Sequence, residues 1–407
     1  MTARDPPAAA KQEVPAMRDD LFNRNIAALR PSASMQFMAK AKAMQAADPG
    51  VINLTAGEPD FDTPAPIVEE ACRQMKAGFT HYVAAQGLPE LRSRIARKLL
   101  EENNAVYDSD EILVTPGGKN AIYLAVSALV NPGDEVLILD PAWVSYAPIV
   151  SSAGAAPIPV VLSYQEDYRI TPEALEAKAT DKTRLLIINY PNNPTGKVLS
   201  AADAVAITAF MERHPNVFLL SDEVYERIVF DGFTHICPAS IPAIRDRVIL
   251  ANGFSKSVAM TGWRLGYLAA PRDVIRQVFK LYQHSITCVS GFIQKAAVVA
   301  LDCGAEIEQM RRSYQMRRDL FFEKLNVIEG VDAKLPEGAF YAWLRIDKSG
   351  MSSTELCDYL LREARVVGVP GDAYGIGGEK CLRFSFAEEL GQLLEAADRI
   401  RVALDKL

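Results

Sequence analysis

Histidine is scarce in this chain, four in 407 residues, and none of His81, His214, His235 and His284 sits four residues from another. A metal site therefore has little to work with. The six cysteines are scattered at Cys72, Cys237, Cys288, Cys303, Cys357 and Cys381, with no CxxC pair and no zinc-knuckle spacing. A chain of this size needs no disulfide staples, so free thiols in a reducing cytoplasm are the expectation. No apolar run reaches the roughly 18 residues that a membrane span requires. Positive charge is not in excess either: 44 Lys and Arg face 51 Asp and Glu, a net charge of −7. That balance offers no electrostatic reason for a nucleic acid or an anionic membrane as partner. There is no GxGxxG after the first strand, no GxxxxGK[ST] loop, and no His/Ser/Asp set for acyl transfer.

What is present is the balance of a soluble globular protein, 49% apolar and 23% charged. The length exceeds one ordinary compact domain and suits a large domain with a smaller companion. The first 20 residues are rich in Ala and Pro and lack the apolar core of a secretory signal. Residues 1–27 read as a mobile arm.

From 112 to 270 short apolar runs alternate with amphipathic segments. Runs at 112–115, 135–139, 185–189, 217–221, 248–252 and 265–269 predict strands, and 120–130 and 144–152 predict helices. Apolar strands separated by helices are what a parallel sheet covered on both faces requires. The fold class is α/β, with a mostly parallel sheet. A long, interrupted helical stretch follows Pro271 to about 325. Beyond it, 339–346, 366–369 and 381–386 predict strands of a smaller sheet, with helices at 354–364 and 388–407. The expected organisation is a large domain over 55–324 and a smaller α+β domain over 28–54 and 325–407.

Ligands of such sheets bind where strands end. The first run ends in Pro116-Gly117-Gly118-Lys119 at a helix start, a candidate anion cradle. The second ends in Asp140-Pro141-Ala142-Trp143, an aromatic at the mouth. The third runs into Asn189-Tyr190-Pro191-Asn192-Asn193-Pro194-Thr195-Gly196, a rigid loop whose amides can point at a ligand. The fourth meets Asp222, three residues before Tyr225. The fifth runs into Gly253-Phe254-Ser255-Lys256, with Arg264 eight residues on. A lysine at a buried strand end is costly unless paired or neutral, and a neutral lysine is a nucleophile for aldehydes. An amine, a carboxylate, a phenol, an arginine, a glycine turn and an aromatic plate together suit pyridoxal phosphate. Lys256 would bind the aldehyde, Asp222 would keep the ring nitrogen protonated, Trp143 would stack, and Gly118 and Arg264 would hold the phosphate. The late Gly375-Ile376-Gly377-Gly378 reads as a loop, not a dinucleotide fingerprint.

Four motifs, Gly57-Glu58-Pro59-Asp60-Phe61-Asp62-Thr63-Pro64, PNNPTG at 191–196, SDEVY at 221–225 and SKSVAMTGWRLG at 255–266, together resemble the class I aminotransferases. The resemblance covers about residues 25–405 and implies the pyridoxal-phosphate fold of type I. It implies that Lys256 carries the cofactor and shuttles a proton at the substrate Cα, and that Asp222 faces the pyridine nitrogen. Asn193 and Tyr225 would hold the phenolic oxygen, while Arg264, Gly118 and Lys119 would hold the phosphate. Tyr82 is similar to the tyrosine that reaches a neighbouring subunit's phosphate, which implies a homodimer. Arg383 resembles the arginine that grips the substrate α-carboxylate, a task suited to its two-pronged guanidinium, and Gly57 resembles a backbone contact to the same group. Trp143 and Asn193 would border the substrate as well. One position departs from the pattern: where many relatives have a phosphate-binding serine three residues before the lysine, this chain has Gly253.

Lys119 and Arg30, the latter in Arg30-Pro31-Ser32-Ala33-Ser34, resemble the basic residues that look toward a dicarboxylic substrate's distal group. The implied reaction is amino transfer between aspartate or another dicarboxylic amino acid and a 2-oxo acid such as 2-oxoglutarate. Met35-Gln36-Phe37-Met38 is more apolar than aspartate needs, which keeps an aromatic or long-chain amino acid as an alternative. A β-lyase of the same fold is another.

Overall fold

The computed structural model describes residues 21–31, 33–348 and 350–407. Of the expected arm, residues 1–20 lie outside the described residues. Its last part is ordered as a helical turn, Arg24–Ala27, capped by the Asn23 side chain.

Thirteen strands are formed among the described residues. Ile52–Asn53 (β1) comes first. Seven strands then build one sheet: Ile112–Thr115 (β2), Glu135–Asp140 (β3), Ala156–Val161 (β4), Thr183–Asn189 (β5), Phe218–Asp222 (β6), Val248–Gly253 (β7) and Gly266–Ala269 (β8). Their spatial order is β2-β8-β7-β6-β5-β3-β4. β3 to β7 run parallel to their neighbours within that group, and β8 is antiparallel to both β2 and β7. The strands are apolar throughout because both faces are covered. Successive residues of β5 enter different cores: Leu186 and Ile188 pack with Leu91, Ile95 and Phe210. Leu185 and Ile187 pack with Ala121, Val278 and Tyr282 on the other side. This is the two-residue alternation of a strand, buried on both faces.

The apolar pattern does not predict β4. Its sequence APIPVV carries Pro157 and Pro159, which cannot donate to a ladder on both sides. The strand pairs only with β3, so it stands at the edge, where proline is tolerated. The stretch after Pro271 resolves into three helices, Arg272–Ser285, Gly291–Ala300 and Gly304–Leu325.

A four-stranded antiparallel sheet follows, in the order β12-β13-β10-β9. Its strands are Val331–Ala333 (β9), Tyr341–Ile346 (β10), Val369–Pro370 (β12) and Cys381–Ser385 (β13). The single strand expected at 366–369 divides. Val366–Val367 (β11) pairs in parallel with β1, and the chain then crosses at Gly368 into β12. A Cβ on Gly368 would lie 2.6 Å from the Phe384 ring, so the crossing passes tightly over β13. Helices Ser353–Ala364 and Leu390–Leu404 cover this sheet through their own apolar core. Among the described residues no helix is long and apolar enough to cross a membrane.

Candidate active site

The carboxyl ends of β2, β3, β5, β6 and β7 face the wall made by β10 and β13 across a cavity of about 330 Å³. At the end of β2, Gly117 turns with φ +89°, and a Cβ there would sit 2.7 Å from Nη2 of Arg264. Only glycine allows that turn and that close passage. The helix Gly118–Leu129 starts at once, so its first turn, with N–H groups free of helical partners, borders the cavity beside Arg264. Arg264 itself has φ +55°, a costly backbone state for a side-chain-bearing residue. Lys119 is exposed, yet its Nζ folds down to 4.8 Å from the Trp143 ring centroid. That partial burial, and then Arg264, lower its pKa.

On the cavity floor lies Asp222, buried at the end of β6. Its Oδ2 accepts from the Tyr146 hydroxyl at 2.7 Å, and Asn189 Nδ2 donates to its carbonyl at 2.9 Å. Burial lifts the Asp222 pKa to about 6, against the opposing pull of the Tyr146 hydrogen bond. Asn189 Oδ1 also accepts from the Asn193 backbone N–H, which fixes the loop after β5. Within that loop Asn192 turns inward and braces Thr195, while Asn193 points into the cavity. Tyr225 is buried, with its hydroxyl 2.7 Å from that of Tyr341. Burial and this neighbouring phenol push its pKa up. Lys256 donates from Nζ to the Gly57 carbonyl. Its surroundings disfavour the charged amine, and burial brings its pKa down to about 8 despite Glu58 nearby. A substantial fraction of this lysine is therefore neutral near pH 8.

The opposite wall carries Arg383 from the middle of β13, buried at 4% exposure. Its Nη1 donates to Asn193 Oδ1 at 3.1 Å and its Nη2 to the Thr55 carbonyl at 2.8 Å, while Nε has no partner. The guanidinium lies 4.3 Å from the Tyr341 ring centroid and 5.3 Å from that of Tyr374. Met35 and Met38, from the helix Ala33–Ala47, complete one side.

Ion pairs are numerous elsewhere in the chain. Among the described residues, however, Lys119, Asp222, Lys256, Arg264 and Arg383 take part in none. A buried guanidinium and carboxylate without counter-ions are expensive unless something else meets them. The excess is positive, so the cavity suits a ligand with at least two anionic groups and one cationic group placed over Asp222.

Ten of the residues expected from sequence line this one cavity: Gly57, Gly118, Lys119, Trp143, Asn193, Asp222, Tyr225, Lys256, Arg264 and Arg383. Ser255 lines it as well. Arg30 and Tyr82 do not: both are exposed, Tyr82 at 87%. Sequence reasoning missed Tyr146, Tyr341 and Tyr374. Tyr146 had a usable signal, three residues after Trp143 in the first turn of the helix Tyr146–Ser152. Tyr341 had none, because it sits in an apolar strand like any core tyrosine.

This architecture is shared with known proteins. The family described as aminotransferase class I and II matches residues 49–400. A bifunctional aspartate aminotransferase and glutamate/aspartate-prephenate aminotransferase of Petunia hybrida is 42% identical over 400 residues, 95% of this chain and 83% of that one. Aromatic-amino-acid aminotransferase 2 of Thermococcus litoralis is 42% identical over 359 residues, 87% of this chain and 92% of that one. The solved aspartate aminotransferase of Rhizobium meliloti superposes with a TM-score of 0.90 at 38% identity, covering 95% of this chain and 99% of that one. The chain belongs to the class I and II aminotransferase family and has its fold.

Proposed function

We propose that the chain transfers the amino group of a dicarboxylic L-amino acid, aspartate above all, to a 2-oxo acid such as 2-oxoglutarate, with pyridoxal 5′-phosphate as cofactor. One observation carries this reading: an unpaired carboxylate, a lysine of lowered pKa and an unpaired buried guanidinium share one cavity. The bound cofactor supplies the electron sink that weakens the bonds at the amino acid's Cα. Asp222 would keep a proton on the cofactor's ring nitrogen, a charge pair that the desolvated floor would strengthen. Lys256 Nζ would hold the cofactor's aldehyde, and as a neutral amine it is the base that could take and return a proton at the substrate Cα. Asn193 and Tyr225 orient the ring's phenolic oxygen. Gly118, Lys119 and Arg264 bind the phosphate at the helix start. Arg383 binds the α-carboxylate with two prongs, and Gly57 and Trp143 line the substrate's path.

The exposed Tyr82 fits a role across a subunit boundary, so the active form in this reading is a homodimer. Six free cysteines, four of them buried, fit a reducing cytoplasm. The expected division into 55–324 and 28–54 with 325–407 is kept as the domain proposal, each part having its own sheet.

A second reading, an aromatic amino acid as the donor, is favoured by Met35 and Met38, which line the cavity while Arg30 does not. A substrate panel tests both. The protein is loaded with pyridoxal phosphate and freed of excess, then mixed singly with aspartate, glutamate, phenylalanine and alanine. The loss of the cofactor's visible band and the 2-oxo acid formed are measured. Conversion by aspartate, with no ammonia released, is the expected result. Release of ammonia would point to elimination instead.

A further inference from the structure

The motif Gly375-Ile376-Gly377-Gly378 has no part in the reaction as described, yet it meets the active site through one buried side chain. Asp140, the last residue of β3, is 4% exposed and has no ion pair among the described residues. Its Oδ2 accepts from the Ile376 N–H at 2.9 Å and its Oδ1 from the Gly377 N–H at 2.8 Å. A third bond lies alongside, from the Ala142 N–H to the Tyr374 carbonyl at 2.8 Å. The fit leaves no room for a side chain: a Cβ on Gly375, which has φ +119°, would lie 2.2 Å from Oδ2.

These bonds join two walls. On one side the segment continues from Asp140 to Trp143 at the cavity. On the other, β12 pairs with β13 at Arg383 and runs straight into the turn Gly371–Tyr374, which brings Tyr374 to the guanidinium. Arg383 Nη1 and Nη2 are bonded to Asn193 and Thr55, but Arg383 Nε and Tyr374 Oη are buried without partners. The seat of Tyr374 against the guanidinium therefore depends on packing and not on a side-chain bond.

We infer that Asp140 is a positioning residue of the substrate-carboxylate site: its carboxylate locks the Gly375–Gly378 turn to the end of β3 and so keeps Tyr374 against Arg383. The inference rests on the reading that Arg383 takes the α-carboxylate. A buried carboxylate tolerates its place only while both N–H donors are present, which makes the lock two-pronged and intolerant of displacement. Burial raises the Asp140 pKa and the two backbone donors offset part of that rise. An asparagine would keep the shape but set an NH2 against one backbone N–H, which opens one prong.

Three variants and two readouts test this. Asp140→Asn should raise KM for the amino acid roughly tenfold, the worth of one charge-assisted hydrogen bond, with kcat nearly unchanged. Hydrogen exchange at the Ile376 and Gly377 amides should be faster than in wild type, a readout independent of turnover. Gly375→Ala, whose Cβ would push against Oδ2, should reproduce both effects while leaving the Asp140 charge in place. Arg383→Leu should raise KM further, and adding Asp140→Asn to it should change KM no more, because both act on one contact. If Arg383→Leu leaves KM unaltered, the carboxylate reading fails and the inference falls with it. If Arg383→Leu raises KM while Asp140→Asn and Gly375→Ala lower only Tm, with KM and exchange at wild-type values, the reading stands and the inference is overturned.

Discussion

Two neighbouring carboxylates, Asp222 and Glu223, leave β6 in opposite directions and meet opposite fates. Asp222 enters the cavity, with one hydroxyl and one backbone N–H for company and no cation bonded to it. Glu223 turns to the other face, where Ser221 donates to it at 2.9 Å and His235 Nε2 stands 2.7 Å away. Three residues on, Glu226 joins the same cluster and is bonded by Lys98 and by Asn103. The second group is electrically complete. Burial works to raise the Glu226 pKa, yet Lys98 and then His235 bring it down to about 2. Burial also opposes the His235 imidazolium, but Glu223 holds its pKa above the ordinary value. The first group is incomplete, and Asp222 rises to about 6. Equal burial therefore has opposite consequences, and the difference is the supplied cation. A polar cluster that the chain finishes is scaffold, and one that it leaves unfinished is a site.

The largest effect should come from the cavity's amine. Lys256→Ala is expected to fold normally but lose transamination by more than about 10⁴-fold, since a general base and the covalent anchor go together. Borohydride reduction of the loaded protein followed by peptide mass analysis checks it: wild type carries the cofactor on the chain, and the variant carries none. In wild-type apoprotein the rate of cofactor capture should climb with pH through about 8, where Lys256 loses its proton.

The next pair of variants separates site from scaffold. Asp222→Ala should slow the half-reaction by about 10²–10³-fold, on the scale of losing a preorganised charge partner, and should leave Tm nearly unchanged. Lys98→Met should do the reverse, keeping kcat while costing about 3–5 kcal/mol of stability, because Glu226 is left as an unpaired buried charge. Single-turnover kinetics and denaturant unfolding on the same samples decide. Equal losses of rate and stability in both variants would dissolve the comparison.

pH sharpens it, since the two groups carry opposite signs. Asp222 has a folded pKa of about 6 against an ordinary 3.8, so between these values the folded apoprotein holds a proton that the unfolded chain has lost. That contribution to stability falls as pH rises through the window. Glu226, at about 2 against an ordinary 4.5, contributes stability that is present above 4.5 and lost as pH falls toward 2. Urea midpoints of apoprotein from pH 3 to 7 should lose the first trend in Asp222→Asn and the second in Glu226→Gln.

Smaller still, Tyr146→Phe removes one hydrogen bond to Asp222, worth about 0.5–1.5 kcal/mol. Its loss raises the Asp222 pKa further, so the acid limb of the rate profile should move to higher pH. The smallest change expected is in specificity. Lys119→Ala should lower the ratio of kcat/KM for aspartate over phenylalanine by about fivefold, the worth of an exposed charge contact, and Arg30→Ala should lower it less. An unchanged ratio in both variants would favour the aromatic reading.

Chemistry held within short segments is legible in the sequence itself. The apolar runs mark the strands of a sheet covered on both faces, and the residues that end them, from Gly118 to Arg264, do border one cavity. A strand end is a local event, written in a few consecutive residues. The antiparallel direction of β8 and the edge strand built on Pro157 and Pro159 are not legible, since both depend on which neighbours the sheet provides. Nor are the partners that finish the site. Arg383 finds Asn193 across 190 positions of sequence, Tyr225 finds Tyr341 across 116, and Asp140 finds the glycine turn across 236. The sequence alone determined which chemical groups were available and in what order. Only the tertiary structure decided which were left without a counter-charge, because pairing is a property of space and a buried charge is felt only where water has been removed.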